Sequence, residues 1–173
     1  MRGTDSSDPR VDLLHPPRSS SKEGCPNIVI LSRPNMATRP RRTERHKPRR
    51  LASWNADGVR GRKIELEHFL GQYGVYICLL SETHLNPSQP FRFANYVCHR
   101  TDRPTLRGGT AILVRRGIAH HLEPVPGLTH LEAIANQITL AGRPVVVLAA
   151  YLSPSHPLIG AELSVCFGGG CWF

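Results

Sequence analysis

Apolar residues in this chain gather in short runs separated by polar, glycine-rich or proline-rich breaks. One such run is Val75-Tyr-Ile-Cys-Leu-Leu80, unbroken until it stops at Ser81-Glu82-Thr83-His84. A run this short, rich in β-branched and aromatic side chains, predicts a strand buried on both faces. Thr110-Ala-Ile-Leu-Val114, opened by Gly108-Gly109, predicts a second. Glu132–Leu140 alternates partly with period two and is joined by Ala141-Gly142-Arg143 to the strongly apolar Val145–Leu152, so the two predict a β-hairpin. Upstream, Leu51-Ala-Ser-Trp-Asn55 reads as a short strand with Trp54 inward. Arg60–Leu70 then sets Leu66, Phe69 and Leu70 on one side, a helical spacing closed by Gly71.

Strand, helix and strand follow one another here within about 30 residues, the length of a right-handed parallel crossover. Such a unit puts the carboxyl ends of both strands on one edge of the sheet, where α/β folds hold their chemistry. Asn55 and Glu82 are therefore expected to be neighbours. Glu82 alone admits two readings, a metal-ligating carboxylate or a solvated loop acid. Tyr151 closes the last strand ahead of Ser153-Pro-Ser-His-Pro157. Residues 86–107 read as a long surface connection anchored by Phe91, Phe93 and Tyr96. His120 and His121 look like a metal pair, but adjacent residues on an extended chain point to opposite faces, so they are not expected to share an ion.

Charge changes the picture at the N-terminal end. Residues 1–50 hold 12 Lys and Arg against 5 Asp and Glu, whereas residues 51–173 hold 10 against 8. With seven prolines and one apolar run, Ile28–Leu31, residues 1–50 read as a mostly disordered basic tail rich in Pro and Arg. Its densest part, Arg39–Arg50, fits phosphate contacts, a nuclear import signal or a solvated linker, and Met36 ahead of it is a candidate internal start. No apolar run approaches the ~20 residues of a membrane span, and the N-terminus lacks a signal-peptide core. No membrane partner is expected, and the location expected is nuclear or cytoplasmic, not secreted. Five cysteines without a CxxC pair argue against a disulfide framework or zinc knuckle. Gly58-x-x-Gly61 lacks the rest of a nucleotide-binding signature.

Four segments stand in a telling order: Ser53-Trp-Asn-Ala-Asp-Gly58, Leu79-Leu-Ser-Glu-Thr-His-Leu85, Arg107-Gly-Gly-Thr-Ala-Ile-Leu113 and Ala149-Ala-Tyr-Leu-Ser-Pro154. Together they resemble the endonuclease/exonuclease/phosphatase superfamily, especially the endonuclease of jockey-like non-LTR retrotransposons. The resemblance implies an α/β fold, a four-layer α/β sandwich, and metal-dependent hydrolysis of DNA phosphodiesters. It implies Asn55, Glu82 and Tyr151 as catalytic residues, with Glu82 and Asn55 at a Mg²⁺ (or Mn²⁺) site, and DNA as the partner. The family pattern continues with Gly-Asp-x-Asn and Ser-Asp-His segments that have no counterpart here. After Asp102 the only acids are Glu123, Glu132 and Glu162.

Residues 51–173 are therefore expected to be an incomplete sandwich with its C-terminal half missing. The expected function is that of an N-terminal endonuclease fragment that binds metal weakly and is inactive by itself. The alternatives are an active phosphohydrolase of the same superfamily and a non-catalytic basic nucleic-acid-binding protein. A half-sandwich is also expected to expose the inner face of its sheet, formed by the strands at 75–80, 110–114 and 145–152.

Overall fold

Every buried run becomes a strand in the structure, a computed structural model that describes residues 27–31, 49–103, 107–125, 127–140 and 143–167. The elements in chain order are β1 (Asn27–Leu31), β2 (Arg49–Asn55), α1 (Lys63–Gln72), β3 (Val75–Ser81), β4 (Tyr96–Thr101), β5 (Thr110–Arg115), β6 (His120–Glu123), β7 (Leu131–Leu140), β8 (Arg143–Leu152) and α2 (Gly160–Phe167). A five-stranded sheet runs β1-β2-β3-β5-β4, and a three-stranded sheet runs β6-β7-β8. The expected crossover is present: β2 and β3 are parallel, with Asn55 beside Ser81. The expected hairpin is present too, β7 pairing antiparallel with β8 from Leu131–Leu152 to Leu140–Arg143.

Side-chain alternation splits the larger sheet between two cores. Cys78, Leu80, Ala111 and Leu113 face α1 and pack with Trp54, Leu66 and Leu70. Ile77, Ile112 and Val114 face the other way and pack with Ile134, Ile138, Val147 and Ala149 of the smaller sheet. The helix and the two sheets make an α/β sandwich short of the four layers of the complete fold. The inner face is not exposed as expected: Ile112 and Val114 are fully buried and Ile77 is 2% exposed. The hairpin supplies a second sheet from within this stretch, and that is why the inner face is covered.

Four further differences have local causes. Gly71 lies inside α1, and the helix ends instead at Gly74, whose φ of +58° closes the turn as its N–H donates to the Gly71 carbonyl at 3.2 Å. Residues 96–101 are a strand, β4, and not part of a surface connection. Tyr96 anchors it through a hydroxyl that donates to the Val75 carbonyl at 2.6 Å. In the basic N-terminal stretch, the apolar run at Ile28–Leu31 lies in β1, antiparallel to β2. Last, α2 forms after the proline-rich loop, and its Glu162 carboxylate accepts the backbone N–H groups of Thr129, His130 and Leu131 at 2.6, 3.0 and 3.1 Å. Residues Arg39–Pro48 of the basic patch Arg39–Arg50, Met36 and the turn residues Ala141 and Gly142 lie outside the described residues.

Candidate active site

The carboxyl ends of β2 and β3 continue into loops that hydrogen-bond to each other as the strands did. Ala56 N–H donates to the Ser81 carbonyl at 2.9 Å, Gly58 N–H to the Glu82 carbonyl at 2.9 Å and Val59 N–H to the Thr83 carbonyl at 3.1 Å. On the far side, the N–H groups of Thr83 and His84 donate to the Gly109 and Gly108 carbonyls at 3.2 and 3.0 Å. The loop carrying Glu82 is thus clamped from both sides. The glycine pair is required by space as well as by backbone. Gly109 has φ +86°, and a β-carbon there would sit 2.5 Å from Thr83 Oγ1.

Within this clamp the backbone is left-handed at Glu82 (φ 51°) and His84 (φ 52°), with Thr83 fully buried between them. Asp57 is also left-handed, at φ 40°. The Asp57, Glu82 and His84 ligand atoms all lie within 4.8 Å of one another. Asn55 is oriented by its own contacts. Its Nδ2 donates to Glu82 Oε1 at 3.0 Å, and its Oδ1 accepts the Asp57 N–H at 3.2 Å. The amide thereby holds the carboxylate in place.

Tyr151 reaches the same carboxylate from the second sheet. Burial first, then the charge and hydrogen bond of Glu82 and the charge of Glu132, push its phenol above the ordinary range, partly opposed by Ser153. It therefore remains a neutral donor near neutral pH. Asn55, Glu82 and Tyr151, the residues singled out in the sequence, are brought together.

Beneath them lies Glu132, opposite Tyr151 in the β7–β8 ladder and only 9% exposed. Its Oε2 accepts the Gly109 N–H at 2.6 Å, and Arg103 Nε lies 2.6 Å from Oε1. The Arg103 contact is ionic and not an aligned hydrogen bond, for Oε1 has no hydrogen-bond partner. Sequence reasoning missed Asp57 and His84 as candidate ligands, although both stand inside the segments quoted above. It also missed Glu132, whose signal was register: period two places it on the inward face with Ile134 and Ile138.

Two carboxylates and an imidazole at this spacing fit a divalent cation, with oxygen ligands suited to a hard ion. Comparison with known proteins agrees on the fold and the family. A model of the endonuclease/exonuclease/phosphatase family matches residues 52–165. The chain belongs to that family.

Among curated proteins, the chain is similar to the RNA-directed DNA polymerase from mobile element jockey of Drosophila funebris, 28% identical over 120 residues. That match covers 68% of this chain and 13% of the polymerase. It is 34% identical over 76 residues to the probable RNA-directed DNA polymerase from transposon X-element of Drosophila melanogaster, covering 42% of this chain and 8% of that protein. The chain thus spans a small fraction of the curated relatives it matches. Among solved structures, the endonuclease domain of TRAS1, a telomere-specific non-LTR retrotransposon, superposes with a TM-score of 0.54 at 17% identity. The superposition covers 70% of this chain and 52% of that domain. This endonuclease/exonuclease/phosphatase chain therefore carries an incomplete version of the family fold. No helix among the described residues is long and apolar enough to cross a membrane.

Proposed function

We propose that residues 51–173 are the N-terminal part of a retrotransposon-type endonuclease domain. It contributes the metal-binding and phosphate-orienting side of a DNA phosphodiesterase site, preceded by a basic stretch, 1–50, that adds phosphate contacts. The observation that carries this reading is the convergence of Asn55, Glu82 and Tyr151 at one sheet edge, with Asp57 and His84 beside them. Glu82 and Asp57 would hold a Mg²⁺ or Mn²⁺ ion, with His84 at its flank and Asn55 fixing the Glu82 carboxylate. Such an ion, when bound, supplies charge relief at the phosphoryl oxygens. The Tyr151 hydroxyl and the Asn55 amide can orient phosphate oxygens without adding negative charge.

Hydrolysis also requires a water aligned for attack and a group to take its proton, a contribution of about 10²–10⁴-fold. In this reading Asp57 and His84 serve the ion, and no second Asp–His pair stands at the site among the described residues, so this chain is expected to bind metal and DNA without cutting. The test is nicking of supercoiled plasmid with Mg²⁺ by wild type and Glu82→Ala. Equal background from both supports the reading. Metal-dependent nicking lost in Glu82→Ala would show the chain to be an active enzyme. Calorimetric titration with Mn²⁺ checks the site itself: weak binding in wild type should vanish in Glu82→Gln, and equal binding by both would remove Glu82 from it.

A further inference from the structure

Away from the active site, a second cluster joins the two sheets. His99, in β4 at the edge of the larger sheet, and His120, in β6 at the edge of the smaller one, meet with their Nε2 atoms 2.9 Å apart. Their rings stand edge to face, centroids 5.0 Å apart. The expectation that His120 and His121 would not share an ion holds in its physical reason. His121 turns the other way, to Glu123 Oε1 at 2.9 Å, while His120 finds its partner on a strand of the other sheet.

The neighbouring carbonyl fixes the chemistry of the pair. His120 Nδ1 lies 2.7 Å from the Ile118 carbonyl oxygen, which can only accept, so His120 carries its proton on Nδ1. Its Nε2 then presents a lone pair toward His99. This backbone-fixed tautomer is the arrangement that orients metal-ligating histidines in general. With the pair free of ligand, His99 fills the gap by donating its own Nε2–H. Burial, and secondarily His120, hold the His99 imidazole below its ordinary range, which keeps it in the neutral, ligating form.

We propose that His99 and His120 form a two-histidine site for a divalent transition ion of square-planar or octahedral preference, Cu²⁺ or Ni²⁺, clasping the two sheets. Two imidazole nitrogens at about 2.0–2.1 Å from one ion and at right angles would stand about 2.9 Å apart, the separation the structure already has, with the ion off the line between them, so each ring must turn its lone pair from its partner toward the ion. A tetrahedral ion would need them about 3.3 Å apart, so Zn²⁺ fits less well. Binding requires His99 to move its proton from Nε2 to Nδ1, a change of tautomer and not of charge. The remaining coordination positions fall to water. This proposal does not depend on the endonuclease reading, because neither histidine touches the Asp57–Glu82–His84 cluster in any recorded contact.

The test is titration of the full chain with Ni²⁺ and Cu²⁺, each followed calorimetrically, for wild type, His99→Ala, His120→Ala and, as a control, His121→Ala. The expected result is one site in wild type and His121→Ala, weakened by about tenfold or more in each of the other two variants. Nitrogen-15 imidazole spectra of the wild type keep the test decisive should a variant misfold. Ni²⁺ should broaden the His99 and His120 signals before those of the other histidines. Unchanged affinity in the variants, broadening that begins elsewhere, or no wild-type binding would each overturn the proposal and leave a hydrogen-bonded pair only.

Discussion

Replacing Glu132 tests how far the loop carrying Glu82 depends on a buried carboxylate behind it. In Glu132→Ala the buried Gly109 N–H loses its acceptor at 2.6 Å, and an unsatisfied buried donor costs about 1–3 kcal/mol. The ion contact with Arg103 disappears as well. Since that side chain is 35% exposed, this adds no more than the ~0–1 kcal/mol of a partly solvated pair. The alanine variant should therefore lose about 1–4 kcal/mol, more than a variant that keeps the acceptor. Glu132→Gln keeps an oxygen for Gly109 but loses charge assistance and the partly solvated Arg103 pair, so its cost should be about 1 kcal/mol. Urea denaturation at constant m-value measures both. Hydrogen exchange locates the effect: the Thr83 and His84 amides, whose acceptors are the Gly109 and Gly108 carbonyls, should lose protection before those of β3. Equal losses in the two variants, or a loss in alanine below about 0.5 kcal/mol, would refute the argument that Glu132 secures the glycine pair.

Other substitutions probe the same physics elsewhere. Asn136 is fully buried between the sheets with neither side-chain polar atom bonded, so Asn136→Val should raise stability by about 1–2 kcal/mol on thermal or urea unfolding. Gly109→Ala should cost about 2 kcal/mol or more through its positive φ and the collision with Thr83. Gly71→Ala, in an open position inside α1, should gain about 0.5–1 kcal/mol under the same assay. For Glu162, desolvation pushes its carboxyl up, but the His130, Thr129 and Leu131 backbone bonds outweigh it and lower the pKa. A lowered native pKa means the contribution is present above the unfolded value and lost as pH falls through the native one. Urea midpoints of wild type should therefore exceed those of Glu162→Gln at neutral pH and converge with them in acid.

Much of this architecture could be read from the sequence because burial on both faces leaves unbroken apolar runs. Val75–Leu80 and Thr110–Val114 are central in the larger sheet and were legible for that reason. Strand β4 was not, because at the sheet edge only Tyr96 is buried and the residues after it, His99 and Arg100 among them, are partly or wholly exposed. Strand β6 is four residues long and largely exposed, too short to show a period. The Asn55–Glu82 contact followed from one topological rule, that a parallel crossover aligns strand ends. The roles of Asp57 and His84 depend on left-handed turns that no periodicity reports. The covering of the inner sheet face was also illegible, since pairing within a hairpin says nothing about which sheet the hairpin joins.

Those left-handed turns weigh on stability. Glu82 and His84 occupy backbone positions that glycine would hold more comfortably by about 1–2 kcal/mol each. Selection for stability alone would erode both side chains toward glycine, and the fold would improve as the site disappeared. In the proposed metal site, that strain is the cost of presenting a carboxylate and an imidazole from one short turn.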